Sequence, residues 1–146
     1  MPYRNLDFAE DAPFADSVVL RQPAAARQLS GIRSILRAWL EHRSIAPDTA
    51  EQLLLVMNEV VINAIDASSP DSSVTVFWSI NDDVVCISAR DGGTGFTYTK
   101  AEPVGPSSER GRGLTIVEAL SDRVSATSDG QHTTVTTWTS VDRSDR

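Results

Sequence analysis

The chain contains 146 residues, of which 40% are hydrophobic, and carries a formal net charge of −7. Its length and apolar content suffice for one ordinary domain with a core, whereas its acidity argues against a protein that binds nucleic acid by neutralising phosphates. Its single cysteine, Cys86, excludes an internal disulfide, and its two histidines argue against a zinc cluster. No segment approaches the ~18 consecutive apolar residues of a membrane span, and the N-terminus lacks the apolar region of a signal peptide. We therefore expect a soluble, cytoplasmic protein that binds neither nucleic acid nor membrane.

The first half of the chain predicts one strand followed by two helices. Residues 1–16 contain acids and prolines and are expected to form an irregular leader. Ser17–Arg21 carries the β-branched and apolar residues of a short strand. Apolar residues at helical spacing then predict a helix from about Pro23 to His42. The same periodicity predicts a second helix from Thr49 to about Ala67.

The second half predicts four strands and one more helix. Ser73–Ile80 and Val84–Arg90 are strand-like runs joined by turn residues, which is typical of a hairpin. Asp91–Gly113 is rich in glycine, proline, serine and charge and has no periodicity, which predicts a long loop. Loops beyond ~12–15 residues in a compact domain are usually functional or mobile. A short helix is predicted next, over Gly113–Leu120. Two final strands and a polar tail follow it: Val124–Thr127, Thr133–Thr139 and residues 141–146.

This order of elements predicts the fold class. Strands in consecutive antiparallel pairs, together with grouped helices, favour an α/β two-layer sandwich, in which one mixed, largely antiparallel sheet carries helices on one face. A doubly wound parallel sheet would require strands and helices to alternate. We expect one domain over residues 17–140, with no second domain in the sequence.

Glu59 and Asn63 form the first pair of polar residues with a possible chemical role. Their i, i+4 spacing places a carboxylate and a carboxamide on one stripe of the second helix, beside its apolar face. A carboxamide oxygen is a hard, neutral ligand suited to Mg²⁺, whose shell is completed by waters and substrate phosphates. A carboxylate one turn away can act as a general base. Taken alone, the pair is more often an ordinary polar helix surface.

Asp91, Gly93 and Gly95 come directly after a predicted strand. A carboxylate fixed at a strand end can accept a hydrogen bond from the exocyclic amine of a base, and glycines let the backbone approach a flat ring closely. The spacing is not the Rossmann fingerprint, because these glycines lead into a loop rather than a helix. Alone, the segment is equally compatible with a glycine-rich turn capped by an aspartate.

Two further motifs lie before the third predicted helix and in the last strand. Gly111 and Gly113 would leave backbone amides exposed at a helix N-terminus, where phosphates bind, and Arg110 and Arg112 would add positive charge. Thr133 opens the last strand, where its hydroxyl could support a bound base directly or through water. Singly, a helix entry with loop glycines and a strand threonine are both common.

Together, in this order, the four motifs resemble a known family, the GHKL or Bergerat-fold ATP-binding domains. The resemblance covers roughly residues 17–139, almost the entire chain. Glu59 and Asn63 match the N box of the family, and Asp91, Gly93 and Gly95 match its first glycine box. The second glycine box is matched by Gly111, Arg112, Gly113 and Leu114. Thr133 matches a threonine near the end of the domain.

The resemblance implies ATP and Mg²⁺ as ligands and gives each motif a role. Asn63 would bind Mg²⁺ between the phosphates, and Glu59 would take the proton from the hydroxyl of a partner's serine. Asp91 would hold the adenine amine. Gly93 and Gly95 would line the base, and Thr133 would assist. Residues 111–114 would cradle the phosphates, and residues 96–110 would form the ATP lid.

Within this family the chain most resembles the stand-alone anti-sigma factor serine/threonine kinases. It is short, has no dimerisation and phosphoacceptor helix pair, and has a strand before its first helix. This resemblance implies a homodimer whose protein partners are a sigma factor and an anti-sigma factor antagonist. The sequence departs from the family at Ala67, where many relatives have a polar residue, and at His132, where relatives often have glycine.

Three functions are compatible with these motifs. Glu59 favours an ATP-dependent serine/threonine protein kinase that also sequesters a sigma factor, because a pure binding module needs no carboxylate there. The alternative is a nucleotide-dependent, protein-binding regulator with little or no phosphoryl transfer. The third is a detached catalytic domain of a histidine kinase. It would require a partner with a phosphoacceptor histidine on a helical hairpin, and no such segment occurs in this sequence.

Overall fold

The computed structural model of the protein describes residues 15–93 and 109–142, and only the backbone at residues 109–114. These ranges contain five strands and three α-helices, with a short 3₁₀ turn at Ala26–Gln28. In chain order the elements are β1 (Ser17–Pro23), α1 (Leu29–His42), α2 (Pro47–Asp66), β2 (Ser73–Asn81), β3 (Val84–Arg90), α3 (Glu109–Leu120), β4 (Arg123–Ser128) and β5 (Thr133–Ser140).

The five strands form one sheet in the order β1-β2-β3-β5-β4. All four pairings between these described strands are antiparallel, which confirms the predicted α/β sandwich with a largely antiparallel sheet. The last strand therefore lies between β3 and β4, and not at the edge. This order places Asp91, directly after β3, opposite Thr133 at the start of β5, since the ladder continues from the pair Arg90 and Thr134.

One face of the sheet packs against the helices. Along β2, the buried Val74, Val76 and Trp78 alternate with half-buried neighbours, as expected for a strand with one covered face. Trp39 of α1 meets Trp78 edge to face, with ring centroids 6.4 Å apart and planes 63° apart. Both indoles are 0% exposed, so this pair joins the first helix to the centre of the sheet.

The first helix begins later than the sequence predicts. Pro23 is the last residue of β1, paired with Ser73, and α1 starts at Leu29 after the 3₁₀ turn. The backbone amide of Ala24 donates to the carbonyl of Ser72 at 3.0 Å, which keeps the chain attached to the sheet one residue beyond the strand. The prediction of a helix from Pro23 is wrong because proline suits the end of an edge strand as well as the first turn of a helix.

The third helix begins earlier than predicted. It starts at Glu109 and not at Gly113, so both glycines of the second glycine box lie within helical backbone. Each glycine disfavours a helix by about 1 kcal/mol relative to alanine. Packing compensates for this cost, because α3 lies against α2 and Val117 is 0% exposed. The segment predicted as a loop, residues 91–113, therefore includes the first residues of α3.

No helix in residues 15–93 or 109–142 is long and apolar enough to cross a membrane.

Candidate functional site

Glu59 and Asn63 lie one turn apart on α2, and both are half-buried. The side-chain oxygen of Asn63 is buried and accepts no hydrogen bond from any described residue. A buried acceptor without a partner costs roughly 1–3 kcal/mol, so such atoms are rare unless a ligand or water completes them. The Asn63 oxygen is thus available to a cation or a polar ligand.

The C-terminal end of α2 is tied to the segment that follows β3. The hydroxyl of Ser68 donates to the carbonyl of Ala64 at 2.7 Å and accepts the backbone amide of Gly92 at 2.9 Å. The amide of Ser69 donates to the carbonyl of Gly93 at 3.3 Å. These bonds bring the first and second motifs together, although they are more than twenty residues apart in sequence.

Asp91 is the most buried carboxylate of the described residues, with 5% exposure. The amide of Gly93 donates to its Oδ1 at 3.0 Å, and the amide of Thr133 donates to its Oδ2 at 2.9 Å. Two backbone donors therefore fix the plane of the carboxylate. Each carboxylate oxygen has a second lone pair, so Asp91 retains acceptor capacity for an amine presented by a ligand.

Thr133 adds a second acceptor beside Asp91. It is 8% exposed, and its hydroxyl oxygen is buried without a hydrogen-bond partner among the described residues. A hydroxyl can donate as well as accept. The second and fourth motifs thus form one polar cluster under the helices, in which a carboxylate and a hydroxyl both have free capacity.

Side chains are disfavoured at both Gly92 and Gly93, at one because of space and at the other because of backbone conformation. Gly93 has a φ of +83°, a conformation that side chains disfavour. A Cβ atom on Gly92 would lie 2.2 Å from the backbone carbonyl oxygen of Ser73. The turn after β3 is therefore packed directly against the start of β2.

We expect Gly92→Ala to lower the free energy of unfolding by about 1–3 kcal/mol, because backbone atoms of two strands must separate to admit the methyl group. Urea denaturation followed by circular dichroism measures this change. Gly31→Ala is the matched control, since Gly31 lies in α1 with nothing within 4 Å of an added Cβ. That variant should be neutral or more stable. An unchanged midpoint for Gly92→Ala would contradict the packing described for this turn.

His132 lies against the same turn, and in the sequence it stands out only as a departure from the family pattern. Its Nδ1 is 3.2 Å from the backbone carbonyl oxygen of Asp91 and 3.7 Å from Oδ1 of the carboxylate. The carboxylate of Asp129 accepts the backbone amides of Gln131 and His132, which lowers the pKa of Asp129 from its ordinary value. The turn before β5 is therefore held by its own aspartate.

The remaining predicted site residues are described only in part. Residues 109–114 are helical, so Arg110, Gly111, Arg112, Gly113 and Leu114 lie in the first turns of α3. Only the first four amides of a helix have no acceptor within it, so the amides of Arg110, Gly111 and Arg112 are suited to bind an anion. The expectation that Gly113 would also expose its amide at the helix N-terminus is wrong, because the helix begins four residues earlier. Gly95 and the predicted lid up to residue 108 lie outside the described residues.

A polar cavity of about 370 Å³ lies next to Asp91 but opens on the outer face of the sheet. Arg21, Thr75 and Arg90 line it, and these residues are paired across β1, β2 and β3 on the side away from the helices. Its lining does not include Glu59 or Asn63. Asp91 and His132 also line it, so the cavity adjoins the cluster under the helices at Asp91.

The described residues contain no group of three or more histidine, cysteine, aspartate or glutamate side chains that could hold a metal ion. Mg²⁺ does not require one, because it keeps several waters and is commonly bound through one or two protein oxygens and substrate phosphates. The unpartnered amide oxygen of Asn63 fits that kind of site.

The fold agrees with the comparisons to known proteins. The family model of the histidine kinase-like ATPase domain matches residues 22–138, and the chain belongs to this family. Membership implies ATP as the ligand and confirms the resemblance to GHKL domains. A comparison with curated proteins found no match.

A solved structure supports the same fold. The RsbU and RsbW domains of Rv1364c from Mycobacterium tuberculosis match with a TM-score of 0.69 and 19% sequence identity over 88% of this chain. This chain spans 33% of the length of that one. At this level of identity the match shows a common fold.

Proposed function

We propose that the protein binds Mg²⁺-ATP and phosphorylates a serine or threonine of an anti-sigma factor antagonist, and that it sequesters a sigma factor when the antagonist is phosphorylated. The main support for a nucleotide site is the buried carboxylate of Asp91, which is fixed by the amides of Gly93 and Thr133. A carboxylate held in this way suits recognition of an exocyclic amine.

The proposed chemistry assigns one task to each group. Mg²⁺-ATP supplies the transferable phosphoryl group and the cation that neutralises its charge. Asn63 offers its free amide oxygen to the cation, and Glu59, one turn earlier, accepts the proton of the attacking hydroxyl. Asp91 and Thr133 bind the base. The first-turn amides of α3 would bind the phosphates, and Gly95 and residues 110–114 would complete the contacts.

The proposed partners are supported by the resemblance and by the structural similarity to the RsbU and RsbW domains of Rv1364c. We propose that the protein acts in the cytoplasm as a homodimer that contacts other proteins and not nucleic acid. Its net charge of −7 is compatible with docking on a basic partner surface.

Asp91→Asn is expected to weaken ATP binding by about 10- to 100-fold, the cost of losing a hydrogen bond to a charged acceptor. Asparagine replaces one carboxylate oxygen by an NH2 group, which cannot accept from the backbone amide it faces, so the side chain loses its charge and one of the two bonds that orient it. Isothermal titration calorimetry with ATP and Mg²⁺ measures the change. Asp82→Asn is the control, because Asp82 lies in the exposed turn at the opposite end of β3.

In the same experiment, Asn63→Ala tests the contribution of the cation to binding separately from recognition of the base. We expect it to weaken ATP binding about tenfold in Mg²⁺ and to have little effect in EDTA, because only the cation ligand is removed. Asn81→Ala, at the exposed end of β2, is its control. A folded wild type that binds no ATP, or two variants that bind as the wild type does, would overturn the proposed site.

A further inference from the structure

We infer that His132 is a positioning residue for adenine recognition: its imidazole holds the Asp91 carboxylate in the orientation that binds the base. This inference rests on the proposed function, because it concerns the same nucleotide site. It also goes beyond it, since it assigns a role to the one residue in the turn that departs from the family pattern.

At the end of the ladder between β3 and β5, one backbone hydrogen bond is exchanged for a bond to a side chain. In an antiparallel sheet, two residues of a hydrogen-bonded pair give each other both backbone N–H···O bonds. Asp91 keeps one of them, since its amide donates to the carbonyl of Thr133 at 3.0 Å. The amide of Thr133 instead donates to the Asp91 carboxylate at 2.9 Å. The backbone carbonyl of Asp91 is thereby deprived of its ladder donor.

His132 replaces that donor. Its Nδ1 lies 3.2 Å from the carbonyl oxygen of Asp91. A carbonyl oxygen can only accept, so Nδ1 carries the proton and donates. The ring also packs against the turn, because a Cβ atom on Gly93 would lie 2.9 Å from its Cε1. On the other side, the backbone of His132 is fixed by Asp129, whose carboxylate accepts its amide at 2.7 Å.

This exchange of bonds links the imidazole of His132 to the orientation of the Asp91 carboxylate. Without a donor at Nδ1, the Asp91 carbonyl would be a partly buried acceptor with no partner, which costs free energy. The amide of Thr133 is adjacent and can return to this carbonyl, restoring the ordinary ladder. That return would release Oδ2 of Asp91 and free the carboxylate to rotate. His132 therefore keeps the Thr133 amide on the carboxylate.

The test compares two nucleotides on four proteins. ATP carries the 6-amino group, and purine riboside triphosphate lacks it, so the ratio of their dissociation constants reports recognition of the amine. The proteins are the wild type, His132→Ala, His132→Asn and the control His42→Ala, which changes the only other histidine. Asparagine places an N–H donor at the position of Nδ1 without an imidazole ring. Calorimetry with Mg²⁺ gives the constants, and circular dichroism verifies folding.

We expect the wild type to prefer ATP, and His132→Ala to reduce that preference by about tenfold through weaker ATP binding alone. His132→Asn and His42→Ala should keep the wild-type ratio within about twofold, since the donor remains in one and the site is untouched in the other. A general loss of structure would weaken both nucleotides equally, so the ratio separates positioning from stability.

Each other outcome is decisive. A wild type that discriminates between the nucleotides, with the same ratio in His132→Ala, would overturn this inference and leave the proposed function intact. Equal weakening of both nucleotides, or a loss in His132→Asn as large as in His132→Ala, would also overturn it. If His132→Ala does not fold, His132→Phe, which keeps a ring but has no N–H donor, takes its place and should show the same tenfold loss of preference. A folded wild type that binds no ATP would overturn the proposed function and this inference with it.

Discussion

Glu59→Gln is expected to lower the rate of phosphoryl transfer to the antagonist's serine or threonine by about 10²–10⁴-fold, the usual contribution of a general base. Glutamine has nearly the same shape but cannot take up a proton. ATP affinity should change little, because Glu59 is not among the proposed ligands of the nucleotide. The two readouts are radiolabel transfer from ATP to a purified antagonist and calorimetry with ATP.

The control for this change lies on the same helix. Glu51 of α2 is exposed and forms an ion pair with Arg37 at 2.7 Å, so Glu51→Gln removes a carboxylate without approaching the nucleotide cluster. Exposed ion pairs contribute at most about 1 kcal/mol, and transfer should be unaffected. Unchanged transfer in Glu59→Gln would refute the role of Glu59. A wild type that binds ATP but transfers nothing would favour the nucleotide-dependent regulator over the kinase.

Trp39→Ala is expected to lower the free energy of unfolding by about 3–5 kcal/mol, a large share of the ~5–15 kcal/mol that stabilises a domain. The indole is 0% exposed, packs edge to face on Trp78, and donates from Nε1 to the carbonyl of Ala15 at 2.7 Å. The guanidinium of Arg43 lies 4.6 Å from its ring centroid. Truncation therefore creates a cavity and removes three specific contacts. Urea denaturation measures the loss.

Trp138→Ala is the matched control for the core prediction. Trp138 is half-buried on the outer face of β5, where the guanidinium of Arg123 lies 4.5 Å from its ring centroid. A cation–π contact at an exposed site contributes about 0.5–1 kcal/mol, so this variant should lose much less stability than Trp39→Ala. Equal losses in the two variants would show that the Trp39–Trp78 pair is not the centre of the core.

Local pattern was sufficient to predict most of the elements. The hairpin of β2 and β3 follows from alternating apolar residues and from the turn residues between them, and Asp82 and Asp83 indeed adopt positive φ values of 53° and 62°. The second helix follows from its apolar period, although it starts at Pro47, two residues before the prediction. In each case the residues that decide the structure are neighbours in sequence.

The remaining features depend on contacts between distant residues. The position of β5 between β3 and β4 is set by pairing across the sheet, and no local signal specifies it. Local propensity misplaced the start of α3, because helix packing outweighs the cost of its glycines. The contact of His132 with Asp91 joins residues 41 apart, and it arises from a single exchanged bond at the end of a ladder. The motif spacing proposed which residues form a nucleotide site, but it could not indicate the backbone bonds that hold Asp91 and His132.

The interior position of β5 has a consequence for biosynthesis. As the polypeptide leaves the ribosome, β1, β2 and β3 emerge well before β5, and their sheet then ends at β3 with its hydrogen-bonding groups unpaired. An unpaired strand edge invites association with other chains. Asp91 also lacks the Thr133 amide until β5 docks. Protection of the β3 edge during this interval therefore depends on chaperones or on rapid completion of the sheet.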